Sequence, residues 1–104
     1  MTGYLVLESA EEQIGEIYQY TLQTWGKTQA DRYVRALYDT FARLASNRAL
    51  WRAIPEEYGV DGYFARHNRH RIYWTELPSG KIGIRSVLHD QMDLPRHVRR
   101  DFSH

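Results

Sequence analysis

The ten residues from Arg85 to Leu94, RSVLHDQMDL, bring an imidazole and carboxylates together directly after the apolar strand pattern Ile82-Gly83-Ile84. A free histidine titrates near neutrality, so His89 can give or take a proton. Arg85 can hold developing negative charge, and Asp90 and Asp93 lie within reach. Two further chemistries use the same residues and fit poorly. Ser86, His89 and Asp93 supply the residue types of a serine triad, but no nucleophile-elbow sequence surrounds Ser86. His89, Asp93 and His97 are spaced by four, which would align three ligands on one helix, yet Pro95 interrupts it. His67 and His70 flank a turn and are expected to diverge. No metal site and no cofactor are expected.

A second cluster lies upstream. Between Gly62 and Thr75 the chain carries Arg66, Arg69 and Arg71 with His67 and His70, and no acid. The whole protein is near neutral at +1, but its second half holds nine Lys/Arg against seven Asp/Glu while the first holds five against six. A local cationic field of this kind draws in an anionic or acidic partner even when the net charge is small. Sequence-specific DNA readout by the chain alone is not expected, because no helix-turn-helix or zinc-finger pattern occurs.

These side chains must be held by a small fold. The 104 residues suit one domain spanning 1–104, and 42% hydrophobic with 26% charged residues is globular composition. Eight Tyr and three Trp supply large buried areas from few side chains. The absence of cysteine removes disulfides, thiolate metal sites and thiol nucleophiles, and favours a reducing cytoplasm. No stretch approaches the ~20 apolar residues of a membrane span, and the N-terminal segment has no basic signal-peptide region.

Residues 4–7, Tyr-Leu-Val-Leu, read as a short buried strand. Ser9 with Glu12 has capping-box spacing, and Ile14, Ile17, Tyr18, Thr21/Leu22 and Trp25 form one helical face, predicting a helix from about Ala10 to Trp25. Gly26 stops it, and Thr28 with Asp31 opens a second helix running to about Ser46. Helices this closely linked fold back as an αα-hairpin. Asn47–Gly59 is expected to be loop with Trp51 and Ile54 tucked inward. Three strands follow near 63–66, 69–76 and 81–88, turned at His67-Asn68 and at Leu77-Pro78-Ser79-Gly80. Pro95 begins a short last helix, Arg96 to about Phe102. The expected architecture is α+β, β-α-α-β-β-β, with the hairpin packed on a small antiparallel sheet.

This order resembles the ParE branch of the ParE/RelE toxin superfamily. The resemblance rests on Ala10-Glu11-Glu12 with Ile14, Ile17 and Tyr18, on Trp25-Gly26-Lys27 with Gln29-Ala30 and Tyr33-Val34, and on Leu44-Ala45-Ser46-Asn47. It rests most on His70-Arg71-Ile72-Tyr73-Trp74 and on Ile84-Arg85-Ser86-Val87-Leu88-His89 with Met92-Asp93. Val60-Asp61-Gly62-Tyr63-Phe64 departs from the family's usual Gly-Leu-Arg strand start, and no Tyr follows Tyr73.

The resemblance implies a bacterial, cytoplasmic toxin of a type II toxin–antitoxin pair, inhibiting DNA gyrase, acting without a reaction of its own and neutralised by a cognate antitoxin, ParD-like or other, in a hetero-oligomer. Arg66, Arg69, His70 and Arg71 would form the target-binding face, with Arg85, His89 and Asp93 organising the end of the last strand. Tyr20 and Tyr38 would meet the antitoxin. The alternative is a RelE-like ribosome-dependent endoribonuclease. Arg71 and Arg85 would then stabilise phosphorane charge and His89 would act as acid or base. The late tyrosine of many such nucleases is missing.

Overall fold

The computed structural model describes residues 3–103. Its elements are β1 (Tyr4–Val6), α1 (Glu8–Trp25), α2 (Lys27–Ser46), β2 (Arg52–Ala53), β3 (Tyr63–His67), β4 (His70–Glu76), β5 (Ile82–His89) and α3 (Leu94–Phe102). The strands form one sheet in the order β1-β5-β4-β3-β2. The α+β order and the hairpin on the sheet are as the sequence predicts, with α3 closing the chain.

Several details differ. The sheet is mixed, because β1 runs parallel to β5 with Tyr4 opposite Ile82 and Val6 opposite Ile84. Parallel pairing needs a long crossover, and the segment from α1 to β4 supplies it. The expected loop contains β2, which pairs Arg52 with Phe64 and Ala53 with Tyr63, and short 3-10 turns at Arg48–Leu50 and Glu56–Tyr58. α1 starts at Glu8 and α3 at Leu94, each about two residues early, with Pro95 in the first turn of α3, where its missing N–H costs nothing.

Gly26 alone joins α1 to α2. At φ 94° its N–H still reaches the Leu22 carbonyl (3.0 Å), while its own carbonyl accepts from Ala30 (3.1 Å). Across that corner the Tyr18 hydroxyl and the Lys27 ammonium both donate to Asp31, each at 2.7 Å.

Strand alternation sorts the sheet into two faces. Ile72, Trp74, Ile82, Ile84 and Val87 pack with Ala10, Ile14, Leu37, Phe41 and Leu44 of the hairpin. Tyr73 and Leu88 point the other way and meet Ile54, Tyr58, Leu94 and Val98 beneath α3. Ile54 is buried and Trp51 packs on the hairpin-side core, its indole N–H donating to the Leu44 carbonyl at 2.6 Å. Trp25 leaves the apolar stripe of α1 and is 71% exposed.

Candidate functional site: three clefts around one bulged strand

A β-bulge organises the polar residues. Tyr73 pairs with Ser86 and Trp74 with Ile84, so Arg85 is the extra residue of β5 in the strand register. A bulge strands backbone groups, and α1 satisfies them. The Ser9 hydroxyl donates to the Arg85 carbonyl (2.6 Å), and the Val87 N–H donates to Gln13 Oε1 (2.8 Å). Ser9 is therefore a bulge partner rather than the helix cap its spacing suggests; the helix begins at Glu8, with Leu7 at the cap position. The Gln13 amide nitrogen then donates to Asp101 Oδ2 (2.7 Å), which also accepts from the Ser86 hydroxyl (2.6 Å). Asp101, on α3, is 4% exposed and also takes Arg100 Nε on its second oxygen at 3.2 Å. One buried carboxylate thus ties α3 to both the bulge and α1. Gln13 was legible in principle, since it is a polar residue on the same helical stripe as Ala10, Ile14 and Ile17, and a buried amide needs partners.

The bulge also disperses the residues that the ribonuclease reading requires together. Arg85 stays beside the bulge, where its Nε donates to Thr75 Oγ1 (2.8 Å) and its guanidinium lies 5.6 Å from the Phe102 ring centre. It lines a cleft of about 550 Å³ with Glu8, Glu12, Glu16 and Arg100. Arg71 pairs with Leu88 and faces away from the hairpin, its guanidinium 5.9 Å from the Phe64 ring. It opens into a second cleft, also about 550 Å³. His89, paired with His70, lines a third, about 730 Å³, beneath the hairpin. Each of these three clefts is lined by one of Arg71, Arg85 and His89 and not by the other two.

The expected basic face divides in the same way. His70 faces the hairpin, with its Nδ1 bonded to the Tyr33 hydroxyl at 2.6 Å and its ring 5.5 Å from that of His89. Burial, then the neighbouring His89 and His67, lowers its pKa to about 4. His67 is also lowered by burial and by Arg43, and its Nδ1 meets Thr40 Oγ1 at 2.9 Å. Arg69, in the turn after β3, is exposed and joins His70 at the third cleft. Arg66 and Arg71 are directly opposite each other on the other face. Arg66 donates to Asp90 (2.9 Å) and to the Asn68 carbonyl (2.9 Å). Asp93 is exposed and precedes α3, its carbonyl accepting from His97 N–H at 3.2 Å. Among the described residues no three His, Asp or Glu side chains gather as metal ligands.

The third cleft is the most apolar. Ile17, Tyr20 and Trp25 of α1 line it together with Val87 of β5 and with Met92. Tyr20 is 68% and Met92 40% exposed. Tyr38 does not line it; that ring is half-buried against Tyr4 and Phe41 at centroid distances of 6.5 and 5.3 Å.

The chain is thus an α+β domain with an αα-hairpin on one face of a mixed five-stranded sheet and a C-terminal helix on the other. Residues 4–94 match the model of the ParE toxin of the type II toxin–antitoxin system parDE, and the chain belongs to that family. It is 31% identical over 96 residues to Toxin ParE1 of two Mycobacterium tuberculosis strains, CDC 1551 / Oshkosh and H37Rv, covering 91% of this chain and 96% of theirs. It is 29% identical over 94 residues to Toxin ParE of Escherichia coli, covering 90% of each. No helix among the described residues is long and apolar enough to cross a membrane.

Proposed function

We propose that this chain is a cytoplasmic toxin that inhibits DNA gyrase by surface binding and is silenced when a segment of its cognate antitoxin fills the apolar cleft under the hairpin. The observation that carries the first half is the separation of Arg71, Arg85 and His89 into three clefts. General acid–base catalysis needs its groups within hydrogen-bond reach of one reacting centre, whereas a poison of a large enzyme needs only a complementary surface. Arg69 at the third cleft and Arg66 with Arg71 on the opposite face provide cationic contacts on two sides of the molecule.

The antitoxin reading is supported by Tyr20, Trp25 and Met92, whose exposed apolar surface lines one groove. Rings of this kind are typical anchors for an amphipathic partner segment. The test is a supercoiling assay with purified gyrase, run beside an integrity assay of ribosome-bound message. Loss of supercoiling with linearised DNA, relieved by a cognate antitoxin and reduced by Arg69→Glu, is expected. Cleaved message with untouched supercoiling would overturn the gyrase reading.

A further inference from the structure

We propose that the second cleft is a binding site for the phosphodiester backbone of nucleic acid. Its cationic lining joins Arg66 and Arg71 with Arg43 of α2 and Arg52 of β2, around Phe64 and Leu50. The strand register builds it. Arg52 is opposite Phe64, Arg66 lies two residues from Phe64 on the same strand, and Arg71 is opposite Arg66, so all four side chains stand on one face. Arg43 reaches the cleft from the hairpin side, past the edge of β3 that the two-residue β2 leaves uncovered.

A bound anion would relieve the like-charge contact between Arg66 and Arg71. Like charges directly opposite on neighbouring strands repel. Only Arg66 has a carboxylate partner among the four; no acid pairs with Arg43, Arg52 or Arg71 among the described residues. Arg71 Nε is buried beside the Tyr73 hydroxyl and has no hydrogen-bond partner among the described residues, so the strand holds this guanidinium in place. Guanidinium forks match phosphate oxygens two at a time.

The geometry also separates a phosphodiester from an acidic peptide. A peptide adding a strand lies in the plane of the sheet and is recognised by edge backbone groups. Arg66 and Arg71 project from the face, and β4 is an interior strand, so a ligand reaching both lies across the face and meets side chains alone. Contact through side-chain cations alone, without base-edge readout, is how proteins hold nucleic acid irrespective of sequence. The inference rests on the gyrase reading only for the source of the strand, namely the DNA that gyrase holds.

The experiment titrates the purified toxin into a short fluorescent single-stranded DNA and follows anisotropy across a range of salt. Arg43 and Arg52 are both exposed, so R43Q/R52Q keeps the fold, which the melting curve verifies. R32Q/R35Q removes the same charge from exposed positions on α2 outside the cleft. R43Q/R52Q is expected to weaken binding at least about tenfold and to reduce the slope of log K against log salt by about 1.4, at roughly 0.7 per lost contact. R32Q/R35Q should leave both nearly unchanged. Equal effects of the two variants, absence of binding at low salt, or displacement of the DNA by poly-glutamate at equal charge concentration would each overturn the phosphodiester site. Supercoiling inhibition by the wild-type chain is measured separately, so its persistence without DNA binding refutes the cleft while leaving the gyrase reading intact.

Discussion

Replacing Asp101 should unfasten the C-terminal helix from the rest of the molecule. The carboxylate is 4% exposed and is the only acceptor given to the Ser86 hydroxyl (2.6 Å) and the Gln13 amide (2.7 Å) among the described residues. Asp101→Ala leaves both donors buried and unpaired, at about 1–3 kcal/mol each. The Arg100 contact adds little, because that arginine is 61% exposed. Water entering from the neighbouring cleft, which Asp101 lines, offsets part of the cost. The expected loss is about 3 kcal/mol, which at roughly 4–8 °C per kcal/mol lowers Tm by roughly 12–24 °C. Asp101→Asn keeps one acceptor oxygen and should cost about 1 kcal/mol. Gln13→Ala strands the Val87 N–H and takes one donor from Asp101, which keeps Ser86 and Arg100, and should cost about 2–3 kcal/mol. Since both substitutions break the same network, the double variant should fall short of additivity by about 1–2 kcal/mol. Urea unfolding followed by circular dichroism reads the wild type and all four variants. A loss under about 1 kcal/mol for Asp101→Ala, or additivity within about 0.5 kcal/mol, would refute the idea that one carboxylate couples α1, β5 and α3.

Three further outcomes are expected. A Cβ at Gly62 would stand 2.7 Å from the Trp74 carbonyl oxygen and 2.9 Å from Phe102 Cε2, so Gly62→Ala should destabilise by about 1–3 kcal/mol, and an unchanged melting temperature would contradict the packing there. His70 stays neutral in the folded chain down to about pH 4, while an unfolded histidine is protonated below 6.5. The unfolded state therefore binds more protons in that window, so this stabilisation is fully present above pH 6.5 and is lost as pH falls toward 4. His89, His67 and Asp90 face the same group, and His70→Gln should flatten the dependence of the urea midpoint on pH; parallel profiles would rule His70 out as its source. Tyr20→Ala with Trp25→Ala should weaken antitoxin binding by about 2–4 kcal/mol in calorimetry without lowering Tm, since both rings are mostly exposed, and unchanged affinity would place the antitoxin elsewhere.

The elements were legible because their signals are local. The hairpin follows from two apolar stripes and a glycine between them, and the last turn from Leu77-Pro78-Ser79-Gly80. The two-residue β2 carries no periodicity of its own and exists through its pairing with β3, so it reads as loop. The parallel direction of β1 is likewise a property of the sheet. Ser9 illustrates a competition between local and distant partners: its spacing to Glu12 is that of a cap, but the Arg85 carbonyl, stranded by the bulge, takes its hydroxyl instead. Arg43 and Arg52 escaped notice because they are far apart in the chain and each looks like an ordinary surface arginine; only the register of β2 on β3 brings Arg52 to Arg66 and Arg71.

The single extra residue in β5 explains why the polar residues do not assemble as their types suggest. In an unbroken ladder from Ile84 opposite Trp74, Val87 would pair with Arg71 and Leu88 with His70, putting Val87 on the α3 side. The bulge advances the strand by one, returns Val87 to the hairpin core, sends Leu88 beneath α3 and brings His89 to His70. The same shift makes Arg85 the extra residue of the register and gives Arg71 Leu88 as its opposite, three residues from Arg85, so the two arginines are not side by side across the strands. The network of Ser9, Gln13, Ser86 and Asp101 is what makes that shift tolerable, because it satisfies the backbone groups that the bulge strands. Loosening it would therefore do more than lower stability: it would release the register that puts Val87 and His89 on the hairpin side, where they line the apolar groove. An Asp101→Ala protein that still folds should accordingly show altered amide signals for β5 as well as for α3, and changes confined to α3 would mean that the bulge stands without the clasp.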